Sequence, residues 1–374
     1  MATEVTRYTI HEINFLNQLT DVPEMFETLL QNLSSPFTLA FALGILARLL
    51  KSELSLPRDI YAAISIYLLL ALGLKGGVEL SHSSFDTLFW PILVTLALGF
   101  FTPLSAYFVL RKMGKFGIAD AAGIAAHYGS VSAVTFIAAQ QFVAAAGTPA
   151  EGFMPTLLTL LESPGIHVAI GIGAWQLARE SALAPHAQSS AAAKPIVSHD
   201  TAHANAEHSE TRPMSHVLHE VLTSRSMILL VGGLAAGFCM GGKGYEPVKP
   251  FFEGMFKGAL VLFLLEMGIV AGSRLGDLRR AGPFLLAFGI LMPIVHGSLG
   301  VLLGHWAGLS IGGTAVLGTM AASASYIAAP PAVRMTLPQA NPTYYLTAAL
   351  AITFPFNLLA GIPLYYFLAR QLHG

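Results

Sequence analysis

The chain is 374 residues long, 54% hydrophobic and only 11% charged, with a formal net charge of −1 and a mean hydropathy of +0.63. Soluble domains carry roughly 25% charged residues, so this composition describes a polytopic membrane protein, and its near-neutrality argues against a nucleic-acid partner. The one cysteine, Cys239, excludes an intrachain disulfide and a cysteine-cluster metal site; in its apolar surroundings it reads as a small buried packing residue.

Residues 1–32 form an N-terminal extension that begins polar and acidic, without the basic n-region of a signal peptide. Within it Phe15, Leu16, Leu19, Val22, Met25, Phe26, Leu29 and Leu30 recur at helical spacing, which predicts an amphipathic helix on the membrane surface or on a neighbouring subunit. About ten apolar stretches follow, set against the roughly 20 residues a helix needs to cross a bilayer. They lie near residues 35–51, 60–80, 87–110, 118–146, 154–178, 226–240, 251–273, 281–307, 311–334 and 343–369. Their backbone amides have no water to bond, and the alternation of barrel strands is missing, so all are predicted as helices.

Residues 33–180 therefore read as a first five-helix repeat and 226–374 as a second. Between them, 181–225 is a polar linker rich in Ala, His and Ser, expected to be partly disordered. Its histidines (His186, His199, His203, His208, His216 and His219) lack regular ligand spacing, so a solvated linker is preferred over a metal site. Lys and Arg concentrate around residues 48–58, 111–115, 179–225 and 274–280 and at Arg334, while the alternate loops hold only Arg7, Lys243, Lys249 and Arg370. By the positive-inside rule the first set and the linker are cytoplasmic and both termini face outside. An odd number of helices per repeat makes the second half enter from the opposite face, which predicts two inverted repeats.

The repeat is visible in the residues. Gly123 to Thr135 is a helical stretch with a small, hydroxyl-rich interruption, and its counterpart runs from Gly318 to Pro330; the same distance along the chain separates Leu72–Leu80 from Met267–Leu275. Interrupted apolar segments in matching positions point to a secondary transporter's binding site at the midplane. Gly129, Ser130, Ser132 and Thr135 surround the first break, and Ser323, Ser325, Tyr326, Pro330 and Pro331 the second. The two prolines are expected to free carbonyls just upstream. Half-helix N-termini favour a small anion, and freed carbonyls and half-helix C-termini suit Na+. The bland alternative is that small residues only permit close packing; it leaves the matched position of the two breaks unexplained.

Other polar residues inside spans are Glu266, a possible ion or proton ligand or a partner for a neighbouring His or Lys, and Lys75, placed to snorkel. His127, His167 and His296 read as hydrogen-bonded core residues, and Asp120 as a first-turn acid.

The chain resembles the SbtA-type sodium-dependent bicarbonate transporter family over roughly residues 35–374. The matching features are Gly73-Leu-Lys-Gly-Gly77, Gly129-Ser-Val-Ser132 with Thr135, Met267-Gly268, Ser273-Arg274, Ala321-Ala-Ser-Ala-Ser325, Pro330-Pro331 and Ala340-Asn-Pro342. The resemblance implies an all-α protein with ten transmembrane helices in two inverted repeats, the fourth helix of each broken, and a core domain moving against a gate domain. It also implies a homotrimer in the bacterial inner membrane, controlled by a PII-like protein at the cytoplasmic face. Carried over by residue, the anion sits among Ser132, Ala133, Val134 and Thr135 and Ser323, Ser325, Tyr326 and Ile327. Na+, the coupling ion and the one cofactor-like species expected, sits at Gly129, Ser130, Ser323 and Ala328. Against cyanobacterial members, Tyr326 stands for an acid, Val134, Ala324 and Ala328 for hydroxyl residues, and Ala133 and Ala329 for glycines.

The first expectation is Na+-coupled symport of bicarbonate, with a short carboxylate such as acetate or pyruvate second, since each lost hydroxyl removes a donor worth about 0.5–1.5 kcal/mol. Two readings of other classes remain. One is an intramembrane hydrolase using Ser130 or Ser132 with His127, for which no oxyanion motif is visible; the other is a membrane sensor whose transport has lapsed.

Overall fold

The computed structural model describes Glu27, residues 29–183, His219 and residues 222–374. The amphipathic stretch expected within 1–32 and most of the linker lie outside the described residues. The described residues form helices and connecting loops, without strands. In chain order the helices are α1 (Pro36–Leu49), α2 (Arg58–His82), α3 (Phe85–Lys112), α4 (Ile118–Tyr128), α5 (Ala133–Ala145), α6 (Met154–Glu162) and α7 (Pro164–Leu183). The second half contributes α8 (Arg225–Tyr245), α9 (Lys249–Gly254), α10 (Phe256–Arg274), α11 (Leu278–Trp306), α12 (Ile311–Ala321), α13 (Ala329–Thr336) and α14. The last runs over Pro342–His373 and contains two π-helical stretches, Thr347–Thr353 and Asn357–Gly361.

Among the described residues, seven helical stretches are long and apolar enough to cross a membrane, and the 58-residue stretch Lys249–Trp306 holds both α10 and α11; Pro36–Leu49 and Ile311–Ala321 are shorter apolar helices. Polar caps set the starts. The hydroxyls of Ser35, Ser132, Ser224 and Ser310 and the amide oxygen of Asn341 accept first-turn amides, and Pro36 and Pro342 follow their caps directly. Two kinks fall where glycine adopts the left-handed region, Gly241 in α8 with φ 57° and Gly282 in α11 with φ 78°.

Helices α1, α2, α8 and α10 pair crosswise: α2 lies along α8, and α10 along α1. Glycine makes both contacts possible. A side chain on Gly73 would meet the backbone of Leu230 and Gly233, and one on Gly268 would meet the backbone of Phe41 and Gly44. The contacts advance together along both chains, Gly73 with Gly233 and then Gly77 with Gly237, Gly44 with Gly268 and then Arg48 with Gly272. Each pair is therefore parallel. Around this four-helix group, α4 packs on α3 and α7, while α12 packs on α11, α14 and α5.

Cys239 corrects the sequence reading: it is exposed, not buried. Helix α8 buries Gly233, Leu234 and Gly237 toward its neighbours, and Cys239 falls on the opposite face. Glu266 is likewise not paired with a His or Lys; its carboxylate accepts the Leu56 amide at 3.0 Å and ties down the α1–α2 loop. Lys75 reaches the Glu253 carboxylate at 3.8 Å with its side chain 56% exposed, consistent with its place near an interface.

Candidate functional site

The helix breaks predicted from sequence are present. The first occupies residues 129–132 between α4 and α5, and the second 322–328 between α12 and α13. Glycine and serine at the first break, and the run of small residues at the second, leave short stretches that do not close intrahelical bonds. The prolines also start the second half-helix. Pro330 and Pro331 lie in the first turn of α13, where a missing amide costs nothing because the first turn has no intrahelical acceptor to reach. They strip the α13 N-terminus of two amide donors.

The two breaks are bonded to each other. The Ser325 amide donates to the carbonyls of His127 at 2.8 Å and Ser130 at 3.0 Å, and the Ser132 amide donates to the Ser323 hydroxyl at 2.9 Å. Ser323 in turn donates to the Met320 carbonyl at 2.8 Å, so its hydroxyl is committed to bracing one break against the other. From α14, Asn357 at the start of the second π-helical stretch donates to the Ala322 carbonyl at 2.9 Å; without it that freed carbonyl would be an orphan in the interior.

Ser132, Thr135, Ser323, Ser325 and Val134 are buried, Tyr326 is half-buried, and Ile327 is 40% exposed. Ser132 caps α5 by accepting the Thr135 amide at 3.3 Å, and Ser325 accepts the Ala328 amide at 3.3 Å. Both hydroxyls keep a proton to donate. The Tyr326 hydroxyl is buried without a hydrogen-bond partner, and its ring packs edge-on against Phe354 at 5.5 Å between centroids. Ser130 is bound elsewhere, donating to the Glu162 carbonyl at 2.8 Å. The described site thus offers hydroxyl protons and the open amides at the start of α5, and its donors carry no basic side chain.

The histidines are placed as expected. His127 is fully buried, its Nδ1 on the Gly123 carbonyl at 2.7 Å and its ring stacked on Tyr345. His296 meets the Ser105 hydroxyl at 2.7 Å, and His167 the Ser163 carbonyl at 2.8 Å. His127 is bonded to neither Ser130 nor Ser132, so the nucleophile and base of the hydrolase reading are not assembled. Asp120, in the first turn of α4, also accepts the Asn341 amide at 2.7 Å.

Two cavities flank this region. One, of about 380 Å³, lies between the starts of α2 and α8 and reaches the second break; Tyr61, Ser65, Arg225, Ser226, Ile327 and Ala328 are among its lining. The other, of about 330 Å³, is lined by Lys75, Gln140, Gln141, Glu151, Glu253 and Lys257. Tyr61 lies near the start of α2 and Lys75 in its second half, about 20 Å apart along its axis. Three tertiary contacts carry no local sequence signal: the reach of Asn357 to the break, the bond from the Ser310 amide to Glu151 at 2.6 Å, and the burial of Glu162.

Broken helices meeting inside a bundle of apolar helices define a membrane transport protein. The profile of the Na+-dependent bicarbonate transporter superfamily matches residues 36–370, and the chain belongs to that superfamily. No curated protein matches it closely enough to count as a relative.

Proposed function

We propose that the protein is a Na+-coupled symporter of a small anion, bicarbonate first, bound between the two helix breaks. The observation that carries this reading is their direct bonding, Ser325 to His127 and Ser130 and Ser132 to Ser323, which brings the half-helix start of α5 and the hydroxyls of Ser132 and Ser325 to one place. An anion there accepts hydroxyl and amide donors without a fixed cation, so its charge is balanced by cotransported Na+.

The proposed architecture is ten spans in two inverted repeats. The parallel pairing supports it: the short α1–α2 loop returns the chain on the face where α1 ends, and α8 runs parallel to α2 and so opposite to α1. The pairing of α2 with α8 repeats as α10 with α1, and that of α4 with α7 repeats as α12 with α14. In this scheme α1, α2, α8 and α10 are the gate and the remaining helices the core. The homotrimer, inner-membrane location and PII-like regulator belong to the same proposal and rest on the family resemblance.

A second substrate class, short carboxylates, is favoured by the apolar Val134, Ala324 and Ala328, all buried at the breaks. The test is radiolabelled bicarbonate uptake into proteoliposomes with and without an inward Na+ gradient. Uptake stimulated by Na+ is expected; no stimulation, together with Na+-driven uptake of acetate or pyruvate, sinks bicarbonate and keeps the transporter class.

A further inference from the structure

Among the described residues Glu162 is the one carboxyl-bearing side chain that is buried, at 4% exposure. The other acids near helix breaks or cavities have partners: Glu266 holds the Leu56 amide, Glu151 the Ser310 amide, Asp120 the Asn341 amide and Glu253 the Lys75 ammonium. Glu162 has no such partner, and its Oε2 is buried without a hydrogen bond. The elements packed on α6 present His167 on α7, Arg225 on α8 and Tyr61, Lys75 and Glu79 on α2. None forms an ion pair with it, and the buried Ser226 at the start of α8 is placed beside it.

Its surroundings are rich in oxygen. Glu162 ends α6 directly before α7 begins at Pro164, so the two helix dipoles oppose each other there, and Pro164 has no amide with which to satisfy the carbonyl of Leu160. Ser130, in the first break, bonds the Glu162 main-chain carbonyl. The break and the α6–α7 joint touch so closely that a side chain on Gly165 would collide with the Gly129 carbonyl. Ser226 is itself buried and lines the 380 Å³ cavity. On α3, Gly99 packs on Leu161 and Pro164, and Thr95, one turn away on the same face, is fully buried with an unpartnered hydroxyl.

A lone carboxylate at membrane depth costs several kcal/mol. A proton would cancel that charge, and so would a hard monovalent cation, which takes carboxylate, carbonyl and hydroxyl oxygens as ligands. We infer that Glu162, its own carbonyl and the hydroxyls of Ser130 and Ser226 form a Na+ site behind the first break, filled and emptied through the cavity at the start of α8. The inference rests on the Na+-coupled reading.

The test is equilibrium binding of radioactive Na+ to the full-length protein purified in detergent at alkaline pH. Saturable binding is expected for the wild type, weakened at least about tenfold by Glu162→Gln, a loss of 1.4 kcal/mol or more, and less by Ser226→Ala, which keeps the carboxylate. Should Glu162→Gln not elute as folded protein, Ser226→Ala carries the test alone, and wild-type affinity in it overturns the site. Wild-type affinity in a folded Glu162→Gln protein also overturns it and marks Glu162 as a neutral buried acid. Glu162-dependent Na+ binding without Na+-stimulated uptake removes the coupling and leaves the site standing. Na+-stimulated uptake with normal Na+ binding in Glu162→Gln removes the site and leaves the coupling.

Discussion

Tyr326 is where a single atom separates two roles. Its ring is held by Phe354, and that packing survives Tyr326→Phe because the phenyl ring keeps its shape. Its hydroxyl is buried beside the Ser132 hydroxyl but outside hydrogen-bond geometry with it, a loss of about 1–3 kcal/mol if nothing ever satisfies it. A donor to the anion is what such a hydroxyl would be kept for. Tyr326→Phe is therefore expected to leave folding unchanged and to raise the KM for bicarbonate about two- to tenfold, the worth of one hydrogen bond. An unchanged KM in uptake kinetics would make Tyr326 a packing residue. The serines of both breaks were legible in the sequence because their types repeat at one spacing. Glu162 was not: a Glu-Ser-Pro run reads as a helix end, and α6 is buried by packing on α3, α2 and α8, distant in sequence. Cys239 was misread for the same reason, since composition does not say which face of α8 meets α2.

At the scale of elements, the apolar stretches mark the helices well: the stretches near 60–80, 87–110 and 281–307 correspond to α2, α3 and α11 within a few residues. Both breaks fall where small residues predicted them, because lost intrahelical bonds are a local property. Partner choice among helices is not local. The glycines of Gly73-Leu-Lys-Gly-Gly77 and Met267-Gly268 are motif residues whose purpose appears only in the crosswise pairing, where backbones touch without side chains between them. Gly268→Leu is expected to drive α10 off α1, an overpacking penalty of at least about 1–3 kcal/mol, seen as aggregation on size-exclusion chromatography. Gly258→Ala, on the same helix with open space around it, is the matched control and is expected to elute normally. Equal behaviour of the two would mean that the glycine contact does not hold the pair together.

For the whole molecule, the two cavities along the first and second halves of α2 test the inverted, gated architecture. The larger one touches the second break at Ile327 and Ala328, and the smaller is lined by the far end of α5, including Ala144. If the halves enter the membrane from opposite faces, these cavities open to opposite compartments, and the anion site communicates with the face where α8 begins. Exposed Cys239 must first be removed by Cys239→Ala, a change on an unburied face expected to be tolerated. In that background Ile327→Cys should react with a membrane-impermeant maleimide from the linker face only, and Ala144→Cys from the other face only. Na+ and bicarbonate together should slow labelling of Ile327→Cys, because a bound anion covers the break beside it. Labelling of both positions from one face would contradict the inverted repeats. Opposite-face labelling with no protection by Na+ and bicarbonate would keep the architecture and move the substrate site away from the second break.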